Sequence, residues 1–230
     1  MSRKIVLITL LSLCMTSNAT AAPNAVELAL QSIGSGSAAE MKNRIFRLPI
    51  SVCEAEDCPR AISSLPQVKR ESRITEGQLL RRVERIIKPV IEFHNRSNRI
   101  ELFLHHDDFP SASVWMGCVL FISDALANTL RDDELAGIVA HEMAHAYFMV
   151  EIRKARKNSD QLAMRVIELK CDAVAMLTLK LLGHDPADYL RALCRMNDIT
   201  KRNGYTIDFW SHPSIGERSQ FAQRFIKLLV

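Results

Sequence analysis

Apolar and polar positions follow two different periods along this chain, and the changes of period mark out its elements. Leu79, Val83, Ile86, Ile87, Val90 and Phe93 recur at helical spacing behind Thr75-x-x-Gln78, which has the form of a capping box. A helix is predicted there, kinked at Pro89. Its Arg81, Arg82 and Arg85 lie between the apolar positions beside Glu84 and read as a solvated face. Ile100, Leu102 and Leu104 then alternate with Glu101 and Phe103, and Val114 to Ile122 forms a second extended stretch interrupted by Gly117, so two or more strands are expected. From Asp132 or Asp133 the helical period returns. Asp132, Asp133 and Glu134 complement the helix dipole, while Leu135, Ile138, Val139, Ala140 and Ala144 carry the apolar face. Further helices are predicted from Ser159 to Leu182, from an Asp185 cap with Pro186 in the first turn to about Lys201, and from Ser214 to the end. The outline is α+β and helix-rich, with a small sheet.

The N-terminal part reads differently. Arg3 and Lys4, the apolar run Ile5 to Leu13 and the small-x-small triplet Ala19-Thr20-Ala21 have the order of a secretory signal peptide, residues 1–21. Cleavage after Ala21 is preferred because a cut after Ala22 would leave Pro23 first. Leu13 ahead of Cys14 is too large for a lipoprotein site. Residues 22–66 then form an N-terminal extension, partly mobile. Asn24 to Ser32 could start a helix, Ile33-Gly-Ser-Gly-Ser37 would break it, and Pro49 to Pro66 reads as a loop. The folded domain is expected over residues 67–230, in the periplasm or secreted. No later stretch reaches the roughly 18 uncharged apolar residues of a membrane span.

Composition narrows the picture little further. The 230 residues are 48% hydrophobic and 24% charged, as in an ordinary folded domain. The formal charge is +4, and two of those cations leave with the signal. Such a weak surplus predicts no nucleic-acid partner, which would need a concentrated basic field. Export permits disulfides. Cys53 with Cys58 is the first expectation, as a short-loop bridge, and Cys171 with Cys194 the second; otherwise Cys118, Cys171 and Cys194 are buried apolar residues.

The candidate chemistry is concentrated in His141-Glu-Met-Ala-His145. Residues four apart on an α-helix differ by only about 40° of rotation, so both imidazoles leave one face and can converge on one ion. Glu142 points about 100° away, yet near enough to reach a water at that ion. Two neutral imidazoles suit Zn²⁺, one per chain, and the offset carboxylate suits a general base. A catalytic zinc needs a third protein ligand. Glu168 and Asp172 share one face of the helix predicted downstream, so Glu168 can supply it and Asp172 can orient a zinc histidine through its far nitrogen. Glu151, Asp160, His184 and His212 compete for the third place.

Taken in order, His141-Glu-Met-Ala-His145, Glu168-x-x-x-Asp172, and Ser211-His212-Pro213 with Arg218 five residues after the proline resemble the gluzincin metallopeptidases of the HtpX and CAAX-prenyl-endopeptidase type, peptidase family M48. The resemblance spans roughly Ile100 to Ile226. It implies a zincin-like fold for residues 67–230, zinc as the ion, Glu142 as general base and Glu168 as third ligand. It implies that His212 helps hold substrate or oxyanion, and that Arg218 organises the site. His212 is the candidate oxyanion donor; the alternatives are a turn histidine capping the last helix ahead of Pro213, or a further zinc ligand that keeps the enzyme latent. Ser111 to Trp115 takes the place of the family's edge strand, so that Ser113, Val114 and Trp115 would meet an added peptide strand. Trp115 either lines a specificity pocket or fills the core. Many relatives span membranes or carry tandem helical repeats; with no span after the signal and the chain ending at Val230, the soluble exported branch is expected. The implied substrate is peptide or unfolded protein, cleaved by a zinc endopeptidase in exported or envelope proteins. The alternatives are a catalytically weak chaperone-like or protein-binding factor on the same scaffold, and a zinc hydrolase of non-peptide amides.

Overall fold

A computed structural model describes residues 24–48, 50, 57–204 and 212–229. The expected signal peptide, Cys53 and Ser211 lie outside the described residues. The described helices are α1 (Ala25–Ile33), α2 (Ala38–Phe46), α3 (Asp57–Ser63), α4 (Gln67–Glu71), α5 (Gln78–Phe93), α6 (Asp124–Thr129), α7 (Asp132–Ala144), α8 (Met149–Lys157), α9 (Gln161–Leu181), α10 (Ala187–Arg202) and α11 (Ile215–Leu228). A 3₁₀ turn, His145–Phe148, joins α7 to α8. The strands are β1 (Glu101–His105), β2 (Ala112–Trp115) and β3 (Val119–Ser123), in the order β1-β3-β2. This is a predominantly helical α+β fold with a small three-stranded sheet, consistent with the zincin-like fold that the resemblance implied. No helix among the described residues is long and apolar enough to cross a membrane.

α9 is the axis of the molecule. Residues Leu169 and Ala173 to Leu179 are buried along it, and α1, α7 and α11 pack around it in one core. α1 belongs to that core rather than lying apart from it. Asn24 caps the helix at Val26 N, and Ala25, Val26 and Ala29 are buried. α2 starts at a capping box made by Ser37 and Glu40, so the Gly34–Gly36 break is followed at once by a second helix.

Several local expectations need correction. The Pro-rich stretch before Pro66 contains α3, because Pro59 sits in the first turn, where a backbone N–H has no intrahelical partner to lose. α5 begins at Gln78 behind Gly77, whose φ of 110° suits glycine and leaves no side-chain cap, and it runs on through Pro89. Arg82 is not simply solvated. It reaches Asp132 and the carbonyls of Ala127 and Leu130, tying α5 to the start of α7. The stretch from Val114 to Ile122 is a hairpin, turning at Met116 and Gly117, both at positive φ, with Cys118 N donating to Trp115 O. α8 was not anticipated, since its Arg, Lys, Arg, Lys run masks a short apolar face made by Ile152 and Ala155. Cys171 and Cys194 are both free thiols, one buried in the core and the other on the outer face of α10. Cys58 is also free, donating to the Cys118 carbonyl.

β2 is the open edge of the sheet among the described residues. The far edge of β1 is covered where Ile74 N donates to Leu104 O and His106 N to Ser72 O. β2 runs antiparallel to β3, with Ser113 opposite Phe121 and Val114 opposite Leu120. Since Ser123 N donates to Ser111 O, the odd-numbered residues of β2 bond inward. The backbone groups of Ala112 and Val114 therefore face the open edge.

Candidate metal centre

α7 brings His141 and His145 to one face by the one-turn spacing, their rings edge to face with centroids 4.9 Å apart. His145 is the residue at which α-helix tightens to 3₁₀. α9, packed along α7, delivers Glu168. Its Oε2 lies 3.4 Å from His141 Nε2 and its Oε1 3.9 Å from His145 Nε2. One ligand atom from each of the three residues falls within 4.8 Å of the others. Ligands at about 2.1 Å around a tetrahedral zinc stand roughly 3.4 Å apart, so the cluster has the right size. Glu168 Oε2 is buried and, despite its nearness to two imidazoles, has no hydrogen bond of proper geometry. A buried carboxylate oxygen left in this way fits an atom meant for a cation.

The electrostatics agree. Burial works against a charge on His141, but the Asp172 and Glu168 carboxylates outweigh it and hold its pKa up at about 9. The same carboxylates would favour a divalent ion in place of that proton. Burial and the neighbouring His141 push His145 down to about 4, so that near neutrality one of its ring nitrogens offers a lone pair. Burial raises Glu142 to about 7, with Glu168 adding to it against the pull of His141.

A tight polar group stands behind His141. Its Nδ1 is 3.0 Å from Asp172 Oδ1 and 2.8 Å from the Tyr189 hydroxyl, which itself donates to Asp172 Oδ1 at 2.6 Å. Arg218 Nε donates to Asp172 Oδ2 at 2.9 Å, and Nη2 reaches both Asp172 and Tyr189. With the Tyr189 hydrogen given to Asp172, Nδ1 of His141 is held as the donor, so that Nε2 is the nitrogen that would give up its proton and present a lone pair to an ion on the side of Glu168. His145 Nδ1 has a softer neighbour, the Cys171 sulfur at 3.5 Å. Tyr189 is the residue that sequence reasoning missed. A single aromatic in α10 carries no spacing signal, and only the packing of α10 on α7 brings it to His141.

The other candidates separate clearly. Glu151 pairs with Lys170, Asp160 caps α9 at Ala163 N, and His184 pairs with Asp133 at 2.9 Å, so none joins the cluster. His212 stands beside it, Nδ1 3.1 Å from Glu168 Oε2, half-exposed at the cleft. The cleft, about 400 Å³, is lined by Ala112 to Val114, His141, Glu142, His145, Glu168, His212 and Arg218 among others. Trp115 is not among its walls. It is 49% exposed near the hairpin turn, so it does not fill the core.

A histidine pair on one helix face, a buried carboxylate facing it, a second carboxylate beside it and an open sheet edge along one wall make a metallopeptidase-like active site. Residues 74–148 match the model of Peptidase family M48, a span that runs from the approach to α5 through the whole sheet to the 3₁₀ turn. It contains His141, Glu142 and His145, while Glu168, Asp172, Tyr189, His212 and Arg218 lie beyond it. No curated protein matches the chain.

Proposed function

We propose that the protein is a zinc-dependent endopeptidase, of the HtpX and CAAX-prenyl-endopeptidase kind, that cuts peptide or unfolded protein substrates among exported or envelope proteins. The observation that carries this is the convergence of His141, His145 and Glu168 on one point beside Glu142, within a cleft walled by β2. Export is part of the proposal and rests on the Arg3 to Ala21 pattern.

His141, His145 and Glu168 would hold the ion, and the chemistry zinc supplies when bound is Lewis-acid polarisation of a carbonyl and activation of water. A substrate strand would pair with the outward backbone groups of Ala112 and Val114, which orients the scissile bond along the cleft. Glu142 takes the proton of the attacking water as the new C–O bond forms. It passes that proton to the amide nitrogen as the C–N bond breaks, so one carboxyl serves as base and then acid. Burial suits it to both tasks by bringing its pKa near neutrality. His212, which lines the cleft, would donate to the developing oxyanion. Asp172, Tyr189 and Arg218 keep His141 in the tautomer that presents Nε2.

The direct test is Glu142→Gln. Zinc content and fold should be retained, while hydrolysis of casein falls by about 10²- to 10⁴-fold. A variant that cleaves as fast as wild type removes Glu142 from the mechanism. Loss of wild-type hydrolysis on chelation, with return on adding zinc, checks the ion.

A further inference from the structure

The cleft has a charged end that the reaction itself does not use. Arg156 of α8 lines it together with Met149 and Ile152, which share its helix face by the three- and four-residue rule. Arg156 is not alone. Arg153, Lys154, Arg156 and Lys157 stand within five positions of α8, all exposed. The nearby acids are taken: Glu151 pairs with Lys170, and Asp160 caps α9. Of these four cations only Arg156 lines the cleft that holds His141, Glu142 and His145; Lys154 faces another cavity. A cation in the wall of a cleft favours ligands of the opposite sign within it. A guanidinium adds a planar fork that matches a carboxylate.

We propose that Arg156 forms a subsite for an acidic side chain, so that preferred substrates carry Asp or Glu in the stretch bound along this wall. The inference rests on the peptidase reading and deepens it. A peptide is favoured over an anionic membrane because Arg156 faces the same cleft as His141, Glu142 and His145 rather than an outer surface.

The experiment is a set of quenched fluorogenic peptides with Glu, Gln or Lys scanned through three positions on each side of the scissile bond, assayed with the zinc-loaded protein. At one position kcat/KM should rank Glu above Gln above Lys, with Glu exceeding Lys by about three- to tenfold, the scale of a partly exposed ion pair counted with its reversal. Arg156→Glu should invert that ranking. Lys154→Glu changes net charge equally but lies in a separate cavity with Leu28 and Asn158, and should leave the ranking as it is. Zinc content of each variant reports that the site is intact. Equal ranking in wild type and Arg156→Glu, with hydrolysis continuing, overturns this subsite and leaves the peptidase reading standing; inversion by Lys154→Glu overturns it in favour of bulk charge. Charge-sensitive binding to phosphatidylglycerol vesicles with an unchanged peptide ranking would reassign α8 to a lipid surface. If wild type cleaves no peptide, the peptidase reading fails and this inference with it.

Discussion

At the scale of single residues, the site is decided by what stands behind His141. Its Nδ1 faces Asp172 and Tyr189, and both are fixed by Arg218. Replacing the carboxylate and replacing the phenol should have unequal effects. Asp172→Asn offers His141 an amide that can itself donate, which turns the lone pair to Nδ1 and a hydrogen toward Glu168; it also leaves the buried Arg218 without its counter-charge. Tyr189→Phe removes one bond but leaves the 3.0 Å approach of Asp172 to Nδ1. Zinc affinity should therefore fall by about 10- to 100-fold in Asp172→Asn and by less in Tyr189→Phe. Competition against a fluorescent chelator measures both, and an equal or reversed order would show that Asp172 does not set the tautomer. Much of this was legible in the sequence. His141 with His145 and Glu168 with Asp172 are one-turn pairs, and a helix of known period places each pair on one face whatever the rest of the fold does. Tyr189 and Cys171 were not legible, because their roles depend on which helices pack together, and no local period encodes that.

At the scale of elements, the critical contact is the crossing of α7 with α10. Gly137 is the point of closest approach: a Cβ built there would stand 3.2 Å from the Cα and Cβ of Tyr189 and from Leu179 Cδ1. An alanine at an ordinary helical position gains about 1 kcal/mol over glycine. Here the obstacle is the backbone of α10, which cannot rotate aside as a side-chain tip can, so overpacking of about 1–3 kcal/mol should prevail. Gly137→Ala is expected to lower stability by roughly 1 kcal/mol and, by displacing Tyr189, to weaken zinc binding as well. Urea unfolding with a parallel zinc titration tests the two together. A more stable variant with unaltered zinc affinity would mean that the crossing is slack. Element prediction failed where a local rule competed with packing. Pro49 to Pro66 reads as a loop although Pro59 stands in the first turn of α3, and the cations of α8 conceal the two buried residues that hold it. Arg82 looked solvated because its carbonyl partners come from residues about fifty positions away.

At the scale of the whole molecule, His94 is where the layers meet. It caps α5, its Nδ1 lies 2.9 Å from Tyr147 in the 3₁₀ turn, its Nε2 lies 3.2 Å from Thr178 in α9, and its ring stacks on Phe46 of α2. The N-terminal helices and both ligand-bearing segments thus share one buried imidazole. Burial, then the charges of Arg96 and Lys42, lower its pKa to about 3. An unfolded chain would titrate this group near 6.5, so between these values the unfolded state binds the extra proton. The stabilisation from keeping His94 neutral is complete above about pH 6.5 and is lost as pH falls toward 3. At about 1.4 kcal/mol per pH unit, the loss by pH 5 is roughly 2 kcal/mol. His141 titrates in the opposite sense in the metal-free protein, but it is common to wild type and variant, so their difference isolates His94. His94→Gln keeps hydrogen-bonding groups without the titration and should start less stable at pH 7.5. Between pH 7.5 and 5 it should then lose about 2 kcal/mol less than wild type in urea unfolding. Stability curves that fall in parallel across that range would show that the proton enters His94 without opening the fold, and that the junction of α2, α5 and α9 tolerates the charge.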